Sequence, residues 1–62
     1  MMIYLERNIN ENEFTIKDAA QALENAGLTS FDIDDIIYSC EEATVVAYDS
    51  NDNIKHITFK QA

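Results

Sequence analysis

Apolar side chains recur along this chain at different spacings, and each spacing predicts an element. Residues 2–9 alternate, with Ile3, Leu5 and Ile9 on one side and Tyr4, Glu6 and Asn8 on the other. That predicts a short strand whose apolar side is interrupted by Arg7. A polar connection over residues 10–13 follows. Thr15 then stands where an N-cap is wanted, with Asp18 three residues on, the spacing of a capping box. Ile16, Ala19, Ala20 and Leu23 fall at i, i+3, i+4 and i+7, so an amphipathic helix is expected over 16–26.

Gly27 is the only glycine and sits where a left-handed residue would end that helix, with Leu28 placed to fold back onto Leu23. Thr29 and Asp32 repeat the capping-box spacing, and Leu28 with Ile33 suits a hydrophobic staple. A second helix is therefore expected over 30–42. At about 100° per residue, Ile33, Ile36, Ile37 and Cys40 share a narrow apolar arc. Phe31, Asp35, Tyr38 and Glu42 fall opposite, flanked by Asp34 and Glu41. Asp32, Asp34 and Asp35 suit the positive end of the helix dipole, whereas Glu41 and Glu42 oppose its negative end, which marks the two glutamates as candidates for function.

Residues 44–49 and 54–60 are expected to form a β-hairpin across the polar turn 50–53. Simple pairing sets Val46 opposite Ile57 and Thr44 opposite Phe59 on one face, with Val45, Ala47, His56 and Thr58 on the other. The expected fold is thus α+β: a short N-terminal strand, two helices in a helix-turn-helix arrangement, and a C-terminal hairpin. Carried by Ala19, Ala20, Leu23, Gly27, Leu28, Ile33, Ile36, Ile37 and the hairpin, this order resembles a winged helix-turn-helix lacking its first helix. It is also similar to the small excisionase-like variants of that architecture. The resemblance implies a truncated winged-helix fold; DNA binding does not follow from fold alone.

Charge changes the functional expectation. A DNA-reading helix needs Arg, Lys, Asn or Gln to meet phosphates and base edges. Between Thr29 and Glu42 this chain has five carboxylates and no Lys or Arg. With 12 acidic and 4 basic residues, the net charge is −8, which disfavours DNA, RNA and anionic membranes and favours basic surfaces. At 62 residues the chain is one small domain with a thin core, so a homodimer or a partner-stabilised fold is expected. A hydrophobic content of 47% is too high for simple disorder. No charged leader or membrane-spanning stretch is evident, and a cytoplasmic protein is the simplest reading.

Candidate chemistry is sparse. The run 49–53 begins like a calcium loop, but Ile54 replaces the needed glycine and Lys60 the bidentate glutamate, leaving a polar hairpin turn. Asp32, Asp34 and Asp35 have no neighbouring His or Cys to complete a transition-metal site, and no metal or cofactor is expected. His56 is the only histidine and lies on a strand; Cys40, the only cysteine, reads as a small core residue. One glycine cannot build a phosphate loop, so an enzyme is not expected.

The leading expectation is a small regulator that binds a protein through Phe31, Asp34, Asp35, Tyr38, Glu41 and Glu42. The aromatics would act as anchors and the carboxylates as partners for Lys or Arg. It would block a basic, nucleic-acid-facing surface, as phage-type inhibitors, antirepressors and anti-CRISPR proteins do. Alternatives are a winged-helix DNA-binding accessory factor in transcription or recombination, and an oligomerisation module. Arg7 on the first strand and Lys55, His56 and Lys60 on the last would make one edge positive if those strands were neighbours. Head-to-tail or two-fold self-association through opposite charge, or limited nucleic-acid contact by the wing, is then a further reading; three or four positive charges against a net −8 would give only weak, salt-sensitive nucleic-acid binding.

Overall fold

The computed structural model describes residues 2–62. Its elements are β1 (Met2–Leu5), α1 (Ile16–Asn25), β2 (Asp32–Ser39), β3 (Glu42–Tyr48) and β4 (Ile54–Gln61). The strands form one mixed sheet in the order β1-β4-β3-β2, with β1 parallel to β4 and the other pairs antiparallel. The helix-turn-helix arrangement is not present: there is one short helix, and the segment expected as the second helix is the edge strand β2. With it falls the resemblance to a winged helix.

The first helix follows local chemistry. The Asp18 N–H donates to the Thr15 hydroxyl oxygen, and the Thr15 N–H donates to the Asp18 carboxylate at 3.0 Å, closing the capping box. At the other end the Leu28 N–H reaches the Leu23 carbonyl at 2.8 Å and the Gly27 N–H reaches Glu24 at 2.9 Å. Gly27 supplies the φ of +84° that this Schellman closure requires. The helix is rotated from the expected stripe: Ala19 and Leu23 are buried and Ala22 is half-buried, while Ile16 is 52% exposed.

The Thr15 N–H and hydroxyl, with Arg7 beyond them, hold the Asp18 carboxyl below its ordinary value of 3.8. A lowered native pKa contributes stability above the unfolded value, and that contribution disappears as pH falls through the native one. Thr15→Ala removes the hydroxyl half of the box. It is expected to cost about 1 kcal/mol in urea denaturation at neutral pH. The Asp18 pKa should rise in an NMR titration, because one of its donors is gone.

The spacing of β2 explains why it reads as a helix. The β2–β3 register shifts between Ile33 and Asp35, so the strand contains one extra residue at a bulge. Ile33, Ile36 and Tyr38 then pair with Ala47, Val45 and Ala43 on the core side, while Asp35, Ile37 and Ser39 lie on the other. A bulge converts alternation into a step of three followed by a step of two, which imitates helical spacing. The second capping box is correspondingly not formed, and Thr29 is exposed. Glu41 and Glu42 oppose no helix dipole. Cys40 and Glu41 form a two-residue turn with Glu41 at φ 57°, and Cys40 is exposed rather than in the core.

The β3–β4 hairpin exists, but its register differs from the expected one. Val45 pairs with Ile57 and Ala43 with Phe59, while Val46 faces His56 and Thr44 faces Thr58. The turn sets this. Asp49 and Asn53 close a three-residue loop, with the Asp49 carboxylate accepting from the Asn51 N–H at 2.9 Å and the Asn53 N–H at 3.0 Å. Asp52 takes the left-handed position at φ 62°. One residue fewer in the loop inverts the faces, so Val45 and Ala47 are buried and Val46 is not.

The core lies between α1 and one face of the sheet. Ile9, Phe14, Ala19, Leu23, Ala43, Val45, Ala47, Ile57 and Phe59 are buried, with Ile3, Leu5, Phe31, Ile33, Ile36 and Tyr38 packed around them. Phe14 and Phe59 form its centre, their ring centroids 5.2 Å apart and tilted by 53°. A helix of 10 residues covers that face only. Among the described residues, no helix is long and apolar enough to cross a membrane.

Candidate functional site

The uncovered face of the sheet follows directly from the strand register. Read from β1 across to β2, one row is Met2, Thr58, Thr44 and Ile37, and the next is Tyr4, Lys60, Glu42 and Ser39. Towards the β3–β4 turn come His56, Val46 and Asp35, then Ile54, Tyr48 and Asp32. Met2, Tyr4, Ile37 and Ile54 are 49–63% exposed, the highest exposures among the described large apolar side chains apart from Ile16. The solvated face of an antiparallel sheet is ordinarily polar on alternate positions. Here apolar side chains are scattered across it, Met2 and Tyr4 on β1, Ile54 on β4, Val46 and Tyr48 on β3 and Ile37 on β2, among polar ones. Thr44 and Thr58 lie between Met2 and Ile37, their hydroxyl oxygens 3.4 Å apart.

The residues expected to bind a partner do not gather on one surface. Asp35 and Glu42 share the open face, Glu42 directly across from Lys60. The Asp35 carboxylate accepts the Ile36 N–H at 2.8 Å. Asp34 is exposed at the bulge near the start of β2, and Glu41 lies in the turn after its far end, where its carbonyl accepts the Gln61 N–H at 3.0 Å. Phe31 and Tyr38 belong to the other side, packed against the core. The Tyr38 hydroxyl donates to the Phe14 carbonyl. Burial, with the nearby charges of Glu11, Asp18 and Asp35, raises the Tyr38 pKa above 10.0. The helix that would have set aromatics beside carboxylates is a strand, and a strand sends neighbouring residues to opposite faces.

Two sets of residues gain importance only in the structure. Ile37, expected in the core, is 57% exposed on the open face. Met2 and Tyr4 share that face from the opposite edge of the sheet, placed there by the β1–β4 pairing, which no local pattern could show. The alternation of residues 2–9 did place Tyr4 away from the apolar side. Asp32, Asp34 and Asp35 have a structural role as well. A bulged, carboxylate-rich edge repels the addition of a further strand to β2.

Charge is segregated. Lys55, His56 and Lys60 lie on β4 and Arg7 follows β1, whereas β2 and its turn into β3 are acidic throughout. Arg7 is engaged in packing: it donates to the Glu13 carbonyl at 2.9 Å, lies 3.5 Å from the Asp18 carboxylate, and sits over the Phe14 ring. His56 is mid-sheet beside Val46 and Cys40 is in the β2–β3 turn, so local pairing gives neither an acid–base partner. The Asp49 carboxylate is occupied by turn N–H groups, which hold it below its ordinary pKa of 3.8. Comparison with protein-family models, curated proteins and solved structures finds no match.

Proposed function

We propose that this chain is a small, non-enzymatic binding protein whose acidic margin engages a basic protein surface that otherwise faces nucleic acid. The observation supporting this is the margin itself: Asp32, Asp34, Asp35 and Glu41 line the β2 edge and its turn, with no Lys or Arg between residues 29 and 42. Such a margin repels a phosphate backbone and steers a cationic partner. Because Phe31 and Tyr38 are part of the core, electrostatics carries the contact and salt weakens it. An inhibitor, antirepressor or anti-CRISPR protein works in this way, by occupying a groove meant for nucleic acid.

The test uses immobilised chain and lysate of its native host. A captured nucleic-acid-binding protein should be released by excess duplex DNA, and the triple change Asp32→Asn, Asp34→Asn, Asp35→Asn should abolish capture. Capture that is undiminished in the triple variant would reject the margin as the site. Gel shift at low salt should show no duplex binding up to about 100 μM, whereas measurable affinity would favour a DNA-binding protein instead.

A further inference from the structure

We propose that a second copy of this chain covers the open face of the sheet, the two copies related by a two-fold axis parallel to the strands. This goes beyond the binding role above and uses a different surface. A rotation about such an axis reverses each row of the face over itself. Lys60 then meets the partner's Glu42, and Glu42 meets the partner's Lys60. Met2 meets the partner's Ile37, Ile54 meets the partner's Tyr48, and the Thr44 and Thr58 hydroxyls meet around the axis. Every position in the two fully built rows, Met2 to Ile37 and Tyr4 to Ser39, faces one on the partner, Tyr4 meeting the partner's Ser39, and in the next row His56 meets the partner's Val46.

The other in-plane axis, perpendicular to the strands, fails this comparison. It would set Lys60 on the partner's Ile54 and Glu42 on the partner's Tyr48, burying both charges without partners. Neither Lys60 nor Glu42 forms an ion pair among the described residues of the single chain, so both are available. Asp32 and Asp35 do not obstruct the association. The described part of β1 pairs from Met2, in the row of Ile37, and both carboxylates lie on the edge strand β2 towards the β3–β4 turn from that row. The dimer carries one acidic margin on each side.

The area sets the strength. Three strands of about 25 Å and the four-residue β1 of about 13 Å, at about 4.8 Å spacing, present a face of roughly 420 Å2. Two such faces bury roughly 850 Å2, below a standard interface and in the range of weak association. Covering the second face by oligomerisation is one route by which so small a core is stabilised.

Sedimentation equilibrium of the full chain tests this. Wild type should reach the dimer mass by about 200 μM. Lys60→Glu and Glu42→Lys should each weaken self-association by at least about tenfold, since each sets like charges face to face. Mixed in equal amounts, the two variants should associate again as a heterodimer. Each variant alone already has like charges at this pair within its own sheet, so recovery on mixing can come only from across the interface. Ile37→Glu changes a side chain exposed in the single chain and should leave the far-UV circular dichroism intact while removing the dimer. It carries the test if a charge variant fails to fold. Wild type remaining monomeric at about 1 mM would overturn the proposal. So would unchanged association of Ile37→Glu, or a mixture of two folded charge variants that associates no more tightly than either component.

Discussion

Phe59→Ala is expected to leave the chain largely unfolded at 25 °C. Phe59 is fully buried on the interior strand β4, between Ile3 of β1 and Ala43 of β3, with its ring against Phe14. Truncating such a side chain costs about 3–5 kcal/mol through lost transfer energy and the cavity left behind. A domain of this size has a total stability of only about 3–5 kcal/mol. The surrounding core cannot collapse into the space, because Ala19, Ala43 and Ala47 have no side-chain length to give. Phe59→Leu keeps most of the volume and should remain folded at a cost of about 1–1.5 kcal/mol. Far-UV circular dichroism and urea titration of the two variants check this. A native transition in the alanine variant would show that the aromatic pair is not the centre of stability.

Tyr38→Ala should destabilise the fold by about 2–4 kcal/mol, because Tyr38 packs against the core. Tyr38→Phe keeps the ring and loses only the hydrogen bond to the Phe14 carbonyl, so about 1 kcal/mol is expected. Equilibrium unfolding separates the two. The sequence alone suggests instead an anchor for a partner, a side chain whose loss would leave the fold intact. An alanine variant as stable as wild type would restore that reading. The raised Tyr38 pKa has a definite sign as well. A native pKa above the unfolded value of about 10 gives stability that is present below that value and lost as pH rises through the native one.

The two functional surfaces follow from different physics. The acidic margin depends on residues close in sequence, and its four carboxylates, Asp32, Asp34, Asp35 and Glu41, are legible in the chain itself. The open face depends on non-local pairing, because Met2 and Ile37 share a row only through β4 and β3. The core side-chain list was partly legible. Ile3, Leu5, Ala19, Leu23, Ile33 and Ile36 were expected on apolar sides and do pack inward, but Ile37 and Cys40 were expected with them and are exposed.

Local interactions decided the elements that could be read from the chain itself. The Thr15–Asp18 box and the Gly27 closure join groups only a few residues apart, so the helix between them is specified wherever it sits in space. The opening strand and the existence of a hairpin were set by alternation in the same way. Residues 32–39 were different, since their isoleucines satisfy a helix and a bulged strand equally. Only hydrogen bonding to β3 selects the strand, because the ladder partners lie outside the segment and leave no trace within it. The same pairing turned Tyr38 inward, turned Ile37 outward and left one face of the sheet without a cover.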